Sequence, residues 1–252
     1  MKANIDTKNI GNRKFILELR FDHKVTMLDK KGALVESFKN ANIFSVTYWE
    51  IGQSDITIRD HEDKEKAKNI VQITLNRLNY NSFQIDSVES FYAKFVKIRK
   101  AVEDILGNLN NTRIGSRIIG TYFTKSKDYA ALLDNFKKVF PAKFLIEEYP
   151  AKDFLFRLDY QNGMYQIGPL AEEDDFYRRE FNIDGCKTHV GVVIDTDNYL
   201  TNVSKNHVDD STTHSGSSGT AGSNARSYTD AVWDFETEIC DKLKHNFLGL
   251  FR

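Results

Sequence analysis

The chain has 252 residues, of which 40% are hydrophobic and 28% charged, and its formal net charge is −1. This length allows one large or two small domains, and the composition excludes a disordered or fibrous protein. A generic polyanion binder carries a basic excess, so any nucleic-acid contact here has to use a local basic patch.

Cysteine usage and hydropathy indicate the compartment. The two cysteines, Cys186 and Cys240, are too few for a disulfide scaffold and favour a reducing environment. The first ten residues lack the apolar core of a signal peptide, and no apolar run has the length of a membrane-spanning helix. We therefore expect a soluble cytoplasmic protein with no membrane partner.

The first third of the chain predicts strands and one early helix. Apolar residues alternate over 15–21, which is typical of a half-buried strand. Residues 25–40 have roughly helical spacing, although Gly32 weakens that helix. The β-branched and aromatic residues of 43–49 and 54–59 predict two strands, and residues 70–78 and 80–85 predict two more.

Two helices enclose a central strand. The apolar stripe of 86–106 predicts the longest helix, which a capping box at Asp86 and Glu89 begins. Residues 127–140 predict a second helix. Between them, the alternation of 112–123 predicts a strand that places its arginines on one face.

The second half returns to strands. Phe154 to Tyr160 predicts one, and Asn162-Gly163 signals a two-residue hairpin that returns through 164–167. Residues 172–175 read as an acidic turn. Two further strands are predicted at 176–183 and 188–195.

The last fifty residues change character. Residues 203–226 are rich in Ser, Gly and Thr and predict a flexible linker, whose origin, natural or engineered, the composition leaves open. Residues 227–252 predict a C-terminal helix with an apolar side. That side has two alternative partners, the protein's own sheet or a second copy of the chain.

These elements predict an α+β fold with mostly antiparallel sheet, in which amphipathic helices pack on one face. The order of elements also allows two loosely similar halves. We expect residues 1–110 and 111–202 to form one compact unit, followed by the linker and the C-terminal helix.

The central strand carries a family resemblance. The segment Arg113-Ile-Gly-Ser-Arg117-Ile-Ile resembles a motif of a sporadically distributed, uncharacterised prokaryotic protein family of similar length. The strand at 15–21, the helix at 87–106 and the closing helix at 228–251 are similar to elements of that family.

The chain departs from the family pattern at Ser116 and Ile118, where the family usually has a leucine and an aromatic residue, and it has Gly120 or Thr121 where an asparagine typically follows. The resemblance implies no assigned activity. It implies a setting in mobile-element or phage-defence cassettes.

Arginines and aromatic residues on predicted strands form the candidate binding site. Arg113, Arg117 and Arg157 offer planar forks of donors for an anion or a carboxylate, and Tyr122 could stack against a base. The alternative is that the arginines pair with strand carboxylates such as Asp159 or Glu147 and fix the strand register.

A second candidate is a carboxylate metal site. Asp184, Asp195, Asp197 and His189 fall on two predicted neighbouring strands, which suits a small metal centre of a nuclease. The alternative is that they are strand-end and turn carboxylates satisfied by water. No phosphate-binding loop, zinc motif or nucleophile elbow is present in the sequence.

Two functions remain open from the sequence. The favoured one is a non-catalytic cytoplasmic protein that binds a protein partner or itself, with no cofactor. The alternative is a nucleic-acid-binding protein or metal-dependent nuclease that uses the Arg113 and Arg117 face.

Overall fold

The computed structural model describes residues 10–83, 88–139, 154–160, 162–182 and 185–201. The described strands are β1 (Ile10–Phe21), β2 (Tyr48–Ile51), β3 (Asp55–Arg59), β4 (Asn69–Thr74), β5 (Arg77–Ser82), β6 (Asn111–Phe123), β7 (Phe156–Tyr160), β8 (Gly163–Leu170) and β9 (Gly191–Thr201). The described helices are α1 (Lys31–Ala41), α2 (Val88–Leu106), α3 (Tyr129–Val139) and α4 (Asp175–Glu180), with a 3₁₀ turn at Val25–Met27.

These strands form a nine-stranded sheet in the order β2-β3-β4-β5-β1-β6-β9-β8-β7. The pairs β1–β5, β2–β3, β3–β4, β4–β5 and β7–β8 are antiparallel. The predicted α+β class with a large antiparallel sheet is thereby confirmed.

The chain divides into two compact units. The described residues of one lie within 10–14 and 118–197, and we call it the 118–197 unit. Those of the other lie within 15–117 and 198–201, and we call it the 15–117 unit. The predicted linker and C-terminal helix lie outside the described residues.

Alternation along β1 builds the core of the 15–117 unit. Phe15 and Leu17 are 1% and 0% exposed, while the intervening residues are partly exposed. Phe91 of α2 stacks on Tyr80 at 4.9 Å between ring centres. The Tyr80 hydroxyl donates to Asn69 Oδ1 at 2.6 Å, which satisfies the one polar atom of that buried ring.

A second apolar cluster forms the core of the 118–197 unit. It contains Tyr122, Leu132, Phe136, Ile167, Val192 and Ile194, all at most 2% exposed. These residues come from β6, α3, β8 and β9, so helix α3 and the strands of this unit share one core.

The predicted strand at 176–183 is wrong, because residues 175–180 form helix α4. Asp174 is its N-cap, and its carboxylate accepts a hydrogen bond from the Phe176 amide at 2.8 Å. Asp175 and Arg178 then pair across one turn at 3.2 Å. The local N-cap therefore favours a helix here, although the aromatic residues of the segment are typical of a strand.

Several predicted boundaries also shift. The early helix splits into the 3₁₀ turn and α1, and the strand predicted at 43–49 begins only at Tyr48. The strand predicted at 70–78 ends at Thr74, where the chain turns into β5. None of the described helices combines the length and apolarity that crossing a bilayer requires.

Candidate functional site

Strand β2 is the outermost of the described strands at one end of the sheet. It pairs on one side with β3, with Tyr48 opposite Arg59 and Ile51 opposite Ile56. An outermost strand presents a row of backbone donors and acceptors on its other side.

The β2–β3 turn decides which backbone groups face outward. The Gly52 amide donates to the Asp55 carbonyl at 3.0 Å, so this opposed pair is hydrogen-bonded. Hydrogen-bonded and non-hydrogen-bonded pairs alternate along an antiparallel ladder. The Tyr48 and Glu50 backbone groups therefore face β3, and those of Trp49 and Ile51 face away from it.

The side chains of Trp49 and Ile51 form an exposed apolar pair on this strand. They are 42% and 49% exposed, whereas Ile58 and Ile56, which lie directly opposite on β3, are both fully buried. Opposed residues of an antiparallel pair point to the same face. The apolar face that is buried at β3 thus continues onto β2. There, about half of the surface of Trp49 and Ile51 stays exposed.

The other face of β2 is polar. Arg59 extends from β3 over Tyr48, with its guanidinium carbon 4.2 Å from the ring centre. Arg59 is 8% exposed, and its Nε atom has no hydrogen-bond partner among the residues that the structure describes. Glu50 lies two residues from Tyr48 on the same face and is exposed. Neither charge is in a salt bridge with the described part of the chain.

Two contacts hold this strand in place. The Lys31 ammonium of α1 donates to the carbonyls of Gly52 and Gln53, both at 2.7 Å. The Lys39 ammonium of α1 lies 4.0 Å from the Trp49 ring centre. The edge is therefore positioned by α1 before any partner binds, which limits the ordering cost of binding.

The predicted binding residue Arg113 is engaged within the 15–117 unit. Its Nη1 atom lies 2.8 Å from Glu18 Oε1, and its guanidinium lies 4.8 Å from the Tyr199 ring centre. Glu18 on β1 also pairs with Arg20 at 2.8 Å and Arg77 at 3.8 Å. The carboxylate that pairs with Arg113 is thus that of Glu18, whereas Asp159 or Glu147 was expected. Glu147 lies outside the described residues.

Each of the other predicted binding residues has a local environment of its own. Arg117 is half-buried on β6 and has interaction partners of its own. Arg157 is exposed on β7 and pairs with Asp159 at 2.8 Å, a hydrogen bond that raises the pKa of the guanidinium. Tyr122 is 1% exposed in the core, and its hydroxyl accepts from Arg13 at 3.2 Å.

The structure describes three of the four predicted metal-site residues. Asp195 is buried and Asp197 half-buried on β9, while Asp184 lies outside the described residues. His189 precedes β9, and residues 175–180, which belong to the neighbouring strand of the prediction, form helix α4. Within the described ranges, no three His, Cys, Asp or Glu side chains form a group suited to a metal ion.

His189 packs in the 118–197 unit as a neutral, buried side chain. It is 9% exposed, and burial lowers the pKa of its imidazole. Its Nδ1 atom lies 3.0 Å from the Lys187 carbonyl, which can only accept, so Nδ1 carries the hydrogen. The Tyr177 hydroxyl donates to the His189 carbonyl at 2.6 Å.

Two glycines make room for this ring. A Cβ atom built on Gly11 would lie 3.0 Å from His189 Nε2, and one built on Gly191 would lie 2.9 Å from it. Within the described part of the chain, Nε2 has no hydrogen-bond partner. A cleft of about 210 Å³ beside the ring has Lys127 and Glu172 on its lining. Because Nε2 lies against the glycine backbones, the ring fills space and does not offer an accessible base.

The resemblance at 113–119 stays a hypothesis. No protein-family model matches the chain, and no curated protein sequence matches it significantly.

The candidate edge was not identified from the sequence. The segment Tyr-Trp-Glu-Ile at 48–51, followed by a Gly-Gln-Ser-Asp turn, signals a hairpin strand but not its position in the sheet. The available signal was the alternation of polar and apolar residues at 48–51, which predicts a half-buried strand but does not show whether it lies at an edge.

Proposed function

We propose that this is a non-catalytic protein that binds an extended segment of a protein partner at strand β2. The observation that carries this proposal is the coincidence of two features at Trp49 and Ile51. Their backbone groups face away from β3, and their apolar side chains are 42% and 49% exposed. Strand addition uses this combination, with backbone hydrogen bonds for affinity and alternate side chains for specificity.

The opposite outermost strand supports the assignment by contrast. Strand β7 also has an exposed apolar side chain, Leu158 at 42%, but it carries Arg157 and Asp159, which lie two residues apart along the strand and pair at 2.8 Å. Charged side chains on an edge strand discourage pairing with other chains. Of the two charges beside β2, Glu50 is exposed and Arg59 is buried over Tyr48, and neither is in a salt bridge within the described residues.

A cytoplasmic location and a phage-defence or mobile-element setting are part of the same proposal. Two cysteines in 252 residues favour a reducing cytoplasm. The resemblance at 113–119 supports a role in a phage-defence or mobile-element cassette, in which small partner-binding proteins would act.

Nucleic-acid binding receives less support. Arg113, the residue on which that alternative depends, is engaged by Glu18 and lies over Tyr199. A gel shift with single-stranded and duplex nucleic acid, comparing the unmodified protein with Arg113→Ala, tests it. Binding that the substitution abolishes would replace our proposal.

The test of strand addition is a peptide selection. Displayed peptides of alternating apolar and polar sequence are selected on the unmodified protein and then tested for binding to Trp49→Lys, with Leu158→Lys on β7 as the matched control. We expect selected peptides to bind the control as tightly as the unmodified protein and to slow amide exchange at Trp49 and Ile51. Peptides that bind Trp49→Lys equally well would contradict the proposal.

A further inference from the structure

We infer that the segment bound at β2 is β2 of a second copy of this chain, running antiparallel, with Trp49 opposite Trp49 of that copy. This inference rests on the proposed strand addition and names its partner. It is carried by the phase of the backbone hydrogen bonds and by the positions of the two charges on the polar face.

The length of β2 and its backbone phase limit the self-pairings. A twofold pairing of β2 has one residue opposite itself, and the outward-facing groups are those of Trp49 and Ile51. Centring the pair on any residue of β2 satisfies this phase, but centring it on Tyr48 or Ile51 leaves only that residue paired within the strand. When the pair is centred on Trp49, this residue exchanges both backbone hydrogen bonds with its own counterpart.

The charges select among these registers. Centring on Glu50 places two glutamates directly opposite one another, which is destabilising. Centring on Ile51 places Trp49 opposite the turn residue Gln53, so less strand is paired. Centring on Trp49 places Tyr48 opposite Glu50 of the second copy.

That register completes the polar face. The Arg59 guanidinium lies over Tyr48, 4.2 Å from its ring centre, so it already reaches from β3 toward the open side of β2. Glu50 of the second copy would arrive beside Tyr48 on the same face, next to an arginine that has no salt bridge within the described residues. The twofold axis creates this Arg59–Glu50 pair twice.

The apolar face closes in the same register. The two Trp49 side chains become direct cross-strand neighbours on the face of Ile56 and Ile58, a favourable aromatic pair. Ile51 comes opposite Thr47 of the second copy. Because β2 has only four residues, this interface is small, and we expect a monomer–dimer equilibrium in the micromolar range rather than an obligate dimer.

Sedimentation velocity over a micromolar concentration series tests the association. We expect the unmodified protein and Leu158→Lys to dimerise alike, and Trp49→Lys and Glu50→Arg to weaken association at least tenfold. Glu50→Arg places an arginine against Arg59 of the other copy, so adding Arg59→Glu should restore dimerisation. Thermal unfolding of each variant confirms that it is folded.

A disulfide trap tests the register without relying on the buried Arg59. In a Cys186→Ser, Cys240→Ser background, Trp49→Cys places two sulfurs on the twofold axis. The Cα atoms of such a hydrogen-bonded pair are about 5.5 Å apart, within the range of a disulfide. Ile51→Cys is the matched control, because its two copies lie four residues out of register and should not cross-link.

The outcomes separate this inference from the proposed function. Dimerisation sensitive to Trp49→Lys, with cross-linking at 49 and not at 51, supports both. A protein that stays monomeric at the highest concentration, or one that cross-links at 51, overturns the inference. If the inference fails but selected peptides still protect the Trp49 and Ile51 amides, the proposed strand addition is supported. If no selected peptide protects these amides, the proposed function is overturned as well.

Discussion

Arg59 lies over the Tyr48 ring at 4.2 Å and has no salt bridge within the described residues. A desolvated cation without a carboxylate contributes little net stability, because the aromatic contact offsets only part of its desolvation. We therefore expect Arg59→Met to change the free energy of unfolding of the monomer by less than about 1 kcal/mol.

Urea denaturation at low protein concentration measures this, and the same variant should dimerise more weakly. The matched control is Arg113→Met, which removes a partner of the half-buried Glu18 carboxylate and should cost about 1 kcal/mol or more. A large loss of monomer stability in Arg59→Met would mean that the arginine serves the fold rather than a partner.

Glu18 organises three arginines in the 15–117 unit, with Arg113 and Arg20 at 2.8 Å and Arg77 at 3.8 Å. Its side chain is 14% exposed, so the charges are only partly screened by water. Glu18→Gln keeps the shape and removes the charge that neutralises these cations. We expect a loss of about 1–3 kcal/mol in the free energy of unfolding, measured in urea.

Glu36→Gln is the control for that substitution. Glu36 pairs with Lys39 at 3.2 Å on α1, but its side chain is 65% exposed. Surface pairs of this kind contribute little, so the change should stay below about 0.5 kcal/mol. Equal effects at positions 18 and 36 would show that the arginine cluster has no special role.

The two glycines beside His189 should differ in how they respond to substitution. A Cβ on Gly11 would meet the side chains of His189 and Thr121, whereas a Cβ on Gly191 would also meet the Tyr122 backbone carbonyl. We expect each alanine variant to lose about 1–3 kcal/mol or more in the free energy of unfolding.

Combining each with His189→Ala distinguishes them in a double-mutant cycle. Removing the imidazole should relieve much of the strain of Gly11→Ala but little of that of Gly191→Ala, because the second clash is with backbone. Gly32→Ala is the control, since no atom lies within 4 Å of its added Cβ in α1. It should stabilise the protein by about 0.4–1 kcal/mol.

The buried His189 predicts a loss of stability in acid. Burial lowers its pKa in the folded protein below the value of about 6.5 in the unfolded chain, so the unfolded state binds the proton more readily. The contribution is fully present above about pH 6.5 and is lost as the pH falls toward the folded pKa. The charged groups that act on the ring, Glu172 and Lys187, oppose one another.

Comparison of the unmodified protein with His189→Gln in urea, at neutral pH and near pH 5, isolates this contribution. The substitution should reduce the acid dependence, by at most about 1.4 kcal/mol per pH unit. An unchanged slope would place the acid sensitivity on carboxylates instead.

Much of the local structure was predictable because its determinants are local. The alternation of Phe15, Leu17 and Leu19 predicted β1, and the apolar stripe of 86–106 predicted α2, which the structure describes from Val88. The Asn162-Gly163 signal matches the β7–β8 hairpin, in which Tyr160 pairs with Gly163.

Strand order was not predictable, and the candidate site depends on it. Arg113 was expected to pair with Asp159 or Glu147, but β1 lies beside β6 in the sheet, and Glu18 on β1 is therefore its partner. The exposure of Trp49 follows from β2 being outermost, which depends on long-range pairing. The aromatic residues at 176–181 led to a wrong prediction of a strand. Here a local determinant decided the structure, because the N-cap at Asp174 favours helix α4.

The succession of strands β2 to β5 has a consequence for biogenesis. These strands are consecutive in the chain and neighbours in the sheet, so their pairing closes only short loops. Their last residue is Ser82, so all four strands are synthesised before α2 and strands β6 to β9. Two chains growing on the same message would therefore present matching edges to one another while the rest of each is still being translated.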